Sequence, residues 1–294
     1  MRLSNSVPFS PSARSRQLLD LARRLAATCP DQLGAEIALS GSASRGLADS
    51  YSDLEINLWC DGLPSLDQRV DWLRQIGATD VSEEEDVIAD GSSWTTFRYA
   101  DTWVEAGWQT IADLQQNLGR VLSGTETDHE LLLVAWMLRT AVPLRTNGHL
   151  TAWQRAVAEY PAGLAERLID SATGAWVWPN WVASHWAFLE RGESLALSEL
   201  LVADLQAVVR IVFALNQRWE PNWKWVRAEV ADLPTTPDDL LDRIDTVYLA
   251  PRLDERVTAS LELILDTLAL APPSEPVWRA RATIREILER RPCA

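Results

Sequence analysis

Two carboxylates, Asp53 and Glu55, lie two positions apart in DLEINLW, a segment in which polar and apolar residues alternate. The alternation predicts a β-strand with its leucines and isoleucine on one face and both carboxylates on the other. Residues i and i+2 of a strand are roughly 6–7 Å apart on the same face. Carboxylate oxygens are the ligands that Mg²⁺ prefers. The sequence therefore predicts a site for one or two Mg²⁺ ions at Asp53 and Glu55.

A Gly-Ser pair, Gly41 and Ser42, precedes these carboxylates by about ten residues and follows a short apolar segment, AEIALS. Because glycine has no Cβ, we expect this pair to end a strand where backbone N–H groups can approach a phosphate closely. Ser42 adds a hydroxyl donor, and Arg45 adds a fixed positive charge suited to phosphate oxygens. Together with the acidic strand, these residues predict a site for a metal ion and a nucleoside triphosphate.

The segment GSASRGLADSYSDLE resembles the Gly-Ser, spacer, Asp-x-Asp/Glu signature of the DNA polymerase β-type nucleotidyltransferase superfamily. Its Asp-x-Glu form is similar to that of the small-molecule branch, the aminoglycoside (kanamycin-type) nucleotidyltransferases. The resemblance implies an α+β fold, in which an N-terminal catalytic domain with a small mixed sheet is followed by an all-α domain. It also implies that Asp53 and Glu55 are catalytic and hold the metal.

The superfamily pattern further implies a third carboxylate on a later strand of the same sheet. The segments SWTTFRYA and TWVEAGWQT predict two strands joined by a tight turn around Asp101. Glu105 on the second strand is the candidate, with the role of general base, or of metal ligand as in other members. Asp101 is a weaker candidate because it lies at the turn. Gly107 shares the face of Glu105 and is expected to leave room for a ligand.

From Ile111 onward the sequence predicts helices only. We expect the catalytic domain to span residues 1–122 and an all-helical, substrate-binding domain to span residues 123–294. The segment from FLERGES to NWKWV resembles the helical domain of small-molecule nucleotidyltransferases, which implies that Lys224 lies near the nucleotide phosphates. Alternatively, Lys224 covers the aromatic surface of the flanking tryptophans with its aliphatic stem.

Tryptophan is frequent in this region, with seven residues between positions 176 and 225. Most are expected to pack in the core, whereas one or two could line a cleft and stack on a base or a substrate ring. His185, within WVASHWAF, is expected to be a helix histidine with satisfied hydrogen bonds rather than a catalyst.

The chain of 294 residues carries a formal net charge of −15, which disfavours general binding to nucleic acid backbones. Its start lacks the apolar region of a secretory signal, and the longest apolar run, LLLVAWML, is too short to span a bilayer. Three scattered cysteines without CxxC spacing suggest neither a disulfide framework nor a zinc site. We therefore expect a cytoplasmic protein without membrane association.

Three functions are compatible with these motifs. The first is Mg²⁺-dependent transfer of a nucleoside monophosphate, with AMP from ATP expected, to a hydroxyl of a small molecule. An aminoglycoside-like antibiotic, being cationic, would suit the acidic protein as acceptor. The second keeps this chemistry but modifies another protein, as in toxin–antitoxin systems. The third is a nucleotide-binding module without turnover, against which the intact Asp53 and Glu55 argue.

Overall fold

The computed structural model describes residues 11–82 and 87–289, and the strands within these ranges form one mixed sheet. The strands are β1 (Glu36–Leu39), β2 (Leu54–Cys60), β3 (Ser93–Tyr99), β4 (Thr102–Thr110) and β5 (Val142–Arg145). Their order across the sheet is β3-β4-β2-β1-β5. Strands β2 and β4 pair in parallel, and the other neighbours pair antiparallel. The predicted α+β class with a small mixed sheet in the N-terminal half is confirmed.

The predicted hairpin around Asp101 is present as β3 and β4. The two connecting residues, Ala100 and Asp101, both have positive φ angles of 48° and 61°. A two-residue connection with left-handed residues matches the right-handed twist of the strands that it joins. This turn sets the register in which Thr96 faces Glu105.

One face of the sheet carries the core of the N-terminal half. Leu54, Ile56 and Leu58 of β2 are at most 1% exposed there, as the alternating pattern predicts. They pack in one apolar cluster with residues of α1 (Ala13–Thr28) and α3 (Leu66–Gln75). Burial of each such side chain contributes about 1.5–3 kcal/mol. The opposite face of β2 is therefore the one that can present polar groups.

The expectation of helices alone after Ile111 is wrong for residues 142–145, which form the edge strand β5 against β1. Pro143 lies in this strand and is tolerated because an edge strand needs fewer of its N–H groups for pairing. Along the chain, α4 (Ile111–Leu122) and α5 (His129–Thr140) precede β5, and α6 (His149–Ala156) follows it.

A buried carboxylate joins β1 to the start of α6. Glu36 is fully buried and accepts hydrogen bonds from the backbone N–H groups of Asn147 at 2.8 Å, His149 at 3.0 Å and Leu150 at 3.1 Å. A carboxylate at a helix N-terminus satisfies orphan N–H groups and interacts favourably with the helix dipole. Glu36 thus fixes α6 to the sheet.

The remaining helices belong to the C-terminal part of the chain. They are α7 (Leu164–Thr173), α8 (Pro179–Arg191), α9 (Ser194–Leu215), α10 (Val226–Val230), α11 (Leu240–Leu249), α12 (Leu253–Leu270) and α13 (Glu275–Glu289). A 3₁₀ turn, Trp223–Trp225, precedes α10. Within the described ranges, none of the helices is both long and apolar enough to cross a bilayer.

A buried polar network centres on Asp204 of α9. Its carboxylate accepts hydrogen bonds from Trp176 Nε1 at 2.9 Å and Ser260 Oγ at 2.8 Å, and lies 2.6 Å from His185 Nε2. The other ring nitrogen of His185 lies 2.8 Å from the Val182 carbonyl oxygen. His185 is fully buried, and the prediction of a satisfied helix histidine is confirmed.

The chain divides into two compact units. Among the described residues, the first unit comprises those up to Ser123 together with Val134–Glu159, and the second comprises Gly124–Leu133 and the residues from Tyr160 onward. The first division follows Ser123, one residue after the expected end of the catalytic domain at 122. The segment 134–159 belongs to the first unit, although the sequence assigned it to the helical domain.

Candidate active site

Glu55 and Glu105 occupy paired positions on two adjacent parallel strands, β2 and β4. Paired residues of parallel strands project to the same face of a sheet. Asp53 lies directly before β2. The neighbouring pair, Leu54 and Val104, is fully buried on the opposite face. Strand register thus places Glu55 and Glu105 on the sheet face opposite the core.

The Gly-Ser turn meets this acidic face at Glu55. Gly41 has a φ of +66°, a region that favours glycine, and a Cβ built there would lie 2.4 Å from both Cδ and Oε1 of Glu55. With the Glu55 carboxylate in this position, no side chain larger than hydrogen fits between them. The positive φ of the turn favours glycine at position 41, and a side chain there would also displace the Glu55 carboxylate.

The expectation that Gly41 and Ser42 end a strand is wrong. β1 ends at Leu39, and Gly41–Ser44 form a single helical turn, α2. The positive φ of Gly41 takes the backbone out of the extended conformation. The turn is held against β2 by Ser40, whose N–H donates to the Glu55 carbonyl oxygen at 3.0 Å. Asn57 Nδ2 donates in turn to Ser40 Oγ at 2.8 Å.

A cavity of about 420 Å³ in the first unit is lined by two of the predicted carboxylates, Asp53 and Glu105. Asp101, the weaker candidate, lines it as well, as do Arg14 and Trp103. Glu55 is absent from this lining, and its carboxylate lies instead against Gly41. The cavity therefore combines three carboxylates with one guanidinium group.

Carboxylates such as these are donors of the kind that a hard divalent cation prefers. Within residues 11–82 and 87–289 there is no cluster of three or more His, Cys, Asp or Glu side chains arranged to hold a metal ion. Mg²⁺ does not require one, because it is commonly held by one or two carboxylates together with water and substrate phosphate oxygens. A magnesium site at Asp53 and Glu55 stays a prediction.

The space beside Gly107 is filled by the protein itself. Trp94, the register partner of Gly107 on β3, lies over it, and a Cβ at Gly107 would be 2.9 Å from Trp94 Cη2. The expectation that Gly107 leaves room for a ligand is wrong, because the indole ring of the neighbouring strand occupies that room.

Arg45 follows α2 directly, and its guanidinium carbon lies 4.9 Å from the centre of the Trp136 ring. This stacking positions the charge at the end of the Gly-Ser turn. Its contact with a phosphate stays a prediction.

Arg14 and Asn57 belong to this site, and sequence reasoning missed both. Arg14, in the first turn of α1, lines the cavity and donates from Nη2 to the carbonyl oxygen of Ser52, the residue before Asp53, at 3.0 Å. No local pattern links Arg14 to a strand about forty residues later. Asn57 could have been found, because the period-two pattern places it on the acidic face.

Lys224 lies in the second unit, where its Nζ is 5.7 Å from the centre of the Trp225 ring. Its contact with nucleotide phosphates stays a prediction. The tryptophans of this region divide into three groups: Trp176, Trp186 and Trp219 are buried, Trp223 and Trp225 are partly buried, and Trp178 and Trp181 are exposed. Core packing thus accounts for the first group.

Comparisons with known proteins give one family match and one structural relative of interest. Residues 125–226 match a family described as a domain of unknown function, DUF4037. A comparison with curated proteins gives no match. Among solved structures, the chain is similar to a nucleotidyltransferase-like protein from Exiguobacterium sibiricum 255-15, with 12% identity and a TM-score of 0.40. That similarity covers 96% of this chain and 81% of the other.

Proposed function

We propose that the protein is a nucleotidyltransferase that transfers the nucleoside monophosphate of a triphosphate, with ATP expected, to a hydroxyl group of a small molecule. One observation carries the proposal: Glu55 and Glu105 are register partners on parallel strands, and Glu55 packs against the Gly-Ser turn at Gly41. Carboxylates and a glycine turn, separated in sequence, thus meet on one sheet face. This combination favours a role in phosphoryl transfer over the alternative that the carboxylates are ordinary solvent-exposed charges on a strand.

The proposed roles follow from the positions of the carboxylates. Asp53 and Glu55 would hold Mg²⁺, which when bound supplies stabilisation of the charge that develops on the phosphate oxygens. Glu105 accepts the proton of the acceptor hydroxyl. The hydroxyl oxygen then forms a bond to the α-phosphorus, the bond to the β,γ-pyrophosphate breaks, and pyrophosphate leaves with the electron pair. Gly41, Ser42 and Arg45 bind phosphate oxygens.

The net charge of the protein guides the choice of acceptor molecules. A net charge of −15 disfavours polyanionic acceptors such as nucleic acids and favours cationic ones. Small hydroxylated cations, aminoglycoside-like antibiotics among them, are therefore the first acceptors to test.

The test is pyrophosphate release by the full chain with Mg²⁺, each of the four nucleoside triphosphates and a panel of hydroxylated small molecules. We expect acceptor-dependent release with ATP, lost in an Asp53→Asn variant that retains its circular dichroism spectrum. Transfer of labelled nucleotide to a protein band only would support a protein-modifying enzyme. Nucleotide binding without release for any acceptor would support a module without turnover.

A further inference from the structure

The second unit contains a cavity that the proposed transfer chemistry does not use. Its volume is about 550 Å³, within the range of about 300–1,000 Å³ that is typical of small-molecule sites. It lies between α9, the segment from Trp223 to Arg227, and α11. All of the described residues that line it belong to the second unit. The cavity is therefore a candidate ligand site in its own right.

Most of the wall of this cavity is apolar. Leu205 and Val209 of α9 and Val226 of α10 line it and are at most 6% exposed, and Ile244 of α11 lines it as well. Apolar walls stabilise a ligand by removing its apolar surface from water. The body of a ligand that fits here is therefore apolar.

The indole ring of Trp223 lines the cavity and is held in place by its neighbours. It stacks on the ring of His129, with centres 5.0 Å apart and planes at 25°. His129 Nδ1 lies 3.3 Å from Oε2 of the buried Glu220, to which Arg210 Nε also donates at 3.1 Å. A ring that is fixed before binding loses little conformational entropy, and aromatic rings attract one another in offset or edge-to-face arrangements. Trp223 thus favours a ligand with a flat ring over one with a flexible chain.

The charged groups of the lining already interact within the chain. Arg227 Nη2 forms an ion pair with Asp245. Lys224 is likewise engaged, with its Nζ 5.7 Å from the centre of the Trp225 ring. An ionic ligand would have to break one of these interactions or stay unpaired away from water, and both are unfavourable. The lining therefore favours an uncharged ligand.

Two uncharged polar side chains, Gln206 and Tyr248, line the same cavity. Burial raises the pKa of Tyr248, so its hydroxyl group keeps its proton at neutral pH. The amide of Gln206 and this hydroxyl group can both donate and accept hydrogen bonds. A hydroxyl or keto substituent on the ligand suits either of them.

We propose that this cavity binds a small, uncharged aromatic molecule. Its flat ring packs against Trp223 and the apolar walls at Leu205 and Ile244, and its hydroxyl or keto group bonds to Gln206 or Tyr248. The site takes no part in nucleotidyl transfer, and its binding does not depend on that reaction.

Isothermal titration calorimetry on the full chain at pH 7 tests the site with three probes that share two fused six-membered rings. They are 2-naphthol, 2-naphthoate, which bears a charged group in place of the hydroxyl group, and decahydro-2-naphthol, which keeps the hydroxyl group but has no flat ring. We expect one saturable 2-naphthol site per chain. 2-Naphthoate should bind at least tenfold more weakly, because its carboxylate must be desolvated, and decahydro-2-naphthol several-fold more weakly.

Two variants test the location of the site. Gln206→Trp, at an exposed position of the lining, blocks the cavity and should abolish binding of 2-naphthol. Its matched control is Leu195→Trp, at an exposed position of the same helix outside the lining, which should leave binding unchanged. Trp223→Leu removes the indole ring and should weaken 2-naphthol several-fold while decahydro-2-naphthol stays within twofold. This second variant tests the site even if Gln206→Trp fails to fold.

The proposal is overturned if 2-naphthoate binds as tightly as 2-naphthol, if binding does not saturate, or if a folded Gln206→Trp variant binds normally. Equal binding of 2-naphthol by Trp223→Leu and the wild type also overturns it. So does displacement of 2-naphthol by ATP at a comparable concentration, which would identify the cavity as the nucleotide site. Asp53→Asn should bind 2-naphthol like the wild type, whether or not the wild type transfers nucleotide, which separates this result from the fate of the proposed function.

Discussion

The carboxylate of Glu55 and the Cα of Gly41 are in direct contact, so that a single added carbon at Gly41 would lie 2.4 Å from Glu55 Cδ. The two residues are fourteen positions apart in sequence and meet because α2 lies beside β2. The contact couples the shape of the Gly-Ser turn to the position of an acidic side chain proposed to hold the metal.

Replacing Gly41 with alanine should therefore damage both stability and activity. The left-handed φ costs about 1–3 kcal/mol for a non-glycine residue, and the added Cβ must displace the Glu55 carboxylate. We expect a lower urea midpoint and loss of pyrophosphate release. The control is Gly62→Ala, because a Cβ at Gly62 meets nothing within 4 Å. Wild-type activity in Gly41→Ala would show that the turn and Glu55 move independently.

Substitution by isosteric amides can distinguish the roles of the three predicted carboxylates. Asp53→Asn and Glu55→Gln should each abolish transfer while the fold is unchanged or slightly more stable, since like charges no longer repel. Glu105→Gln should lower kcat by roughly 10²–10⁴, the range of general acid–base catalysis.

Asp101→Asn is the matched control for Glu105, because both acids line the same cavity. We expect its kcat to stay within a few-fold of the wild type. A larger loss in Asp101→Asn than in Glu105→Gln would exchange their roles and move the general base to the hairpin turn.

Glu36→Gln should destabilise the first unit. The buried carboxylate accepts hydrogen bonds from three backbone N–H groups around the start of α6, and an amide can accept with only one of its two terminal atoms. We expect a loss of about 1–3 kcal/mol in the free energy of unfolding, measured in urea. Asp61→Asn, at an exposed position after β2, should leave stability within about 0.5 kcal/mol. An unchanged midpoint in Glu36→Gln would show that these bonds contribute little.

Arg14 offers a test of the cavity that sequence motifs did not suggest. Its guanidinium group supports the Ser52 carbonyl next to Asp53 and lines the same cavity. Arg14→Gln should raise KM for the triphosphate or the acceptor and lower kcat less than Glu105→Gln does, because it positions groups rather than accepting a proton. Arg14→Lys should restore the charge but not the bond geometry, and hence only part of kcat/KM. Full activity in Arg14→Gln would exclude it from the site.

The thiols of the first unit should react slowly in the native state. Burial raises the pKa of Cys29 to about 12 and that of Cys60 to about 11. Because the thiolate is the reactive form, both are almost entirely protonated at pH 8 and become reactive only as the pH rises towards these values. In a Cys293→Ser variant, Ellman's reagent should therefore titrate neither thiol until guanidinium unfolds the chain. Rapid reaction of one thiol at pH 8 would indicate local opening of β2 or of the end of α1.

The sequence was informative where a local pattern coincides with burial. The period-two alternation of β2 predicted both the core face at Leu54 and the acidic face at Glu55, and the turn at Asp101 followed from two flanking strand patterns. Contacts between distant segments could not be predicted, because nothing local encodes them. Trp94 over Gly107, Arg14 beside Ser52 and Asp204 beside His185 are of this kind. β5 was missed because it has four residues, one of them Pro143, and lies among helices.

The return of residues 134–159 to the first unit has a consequence for how the chain can be divided. A fragment that stops at residue 122 lacks β5 and α6, so β1 becomes an open edge that can pair with other chains, and Glu36 loses its amide donors. Trp59 likewise loses the Trp153 ring, 5.5 Å away. Neither unit is a continuous stretch of sequence. A single genetic crossover therefore cannot exchange one unit and leave the other whole, and three crossover points are needed, after residues 123, 133 and 159.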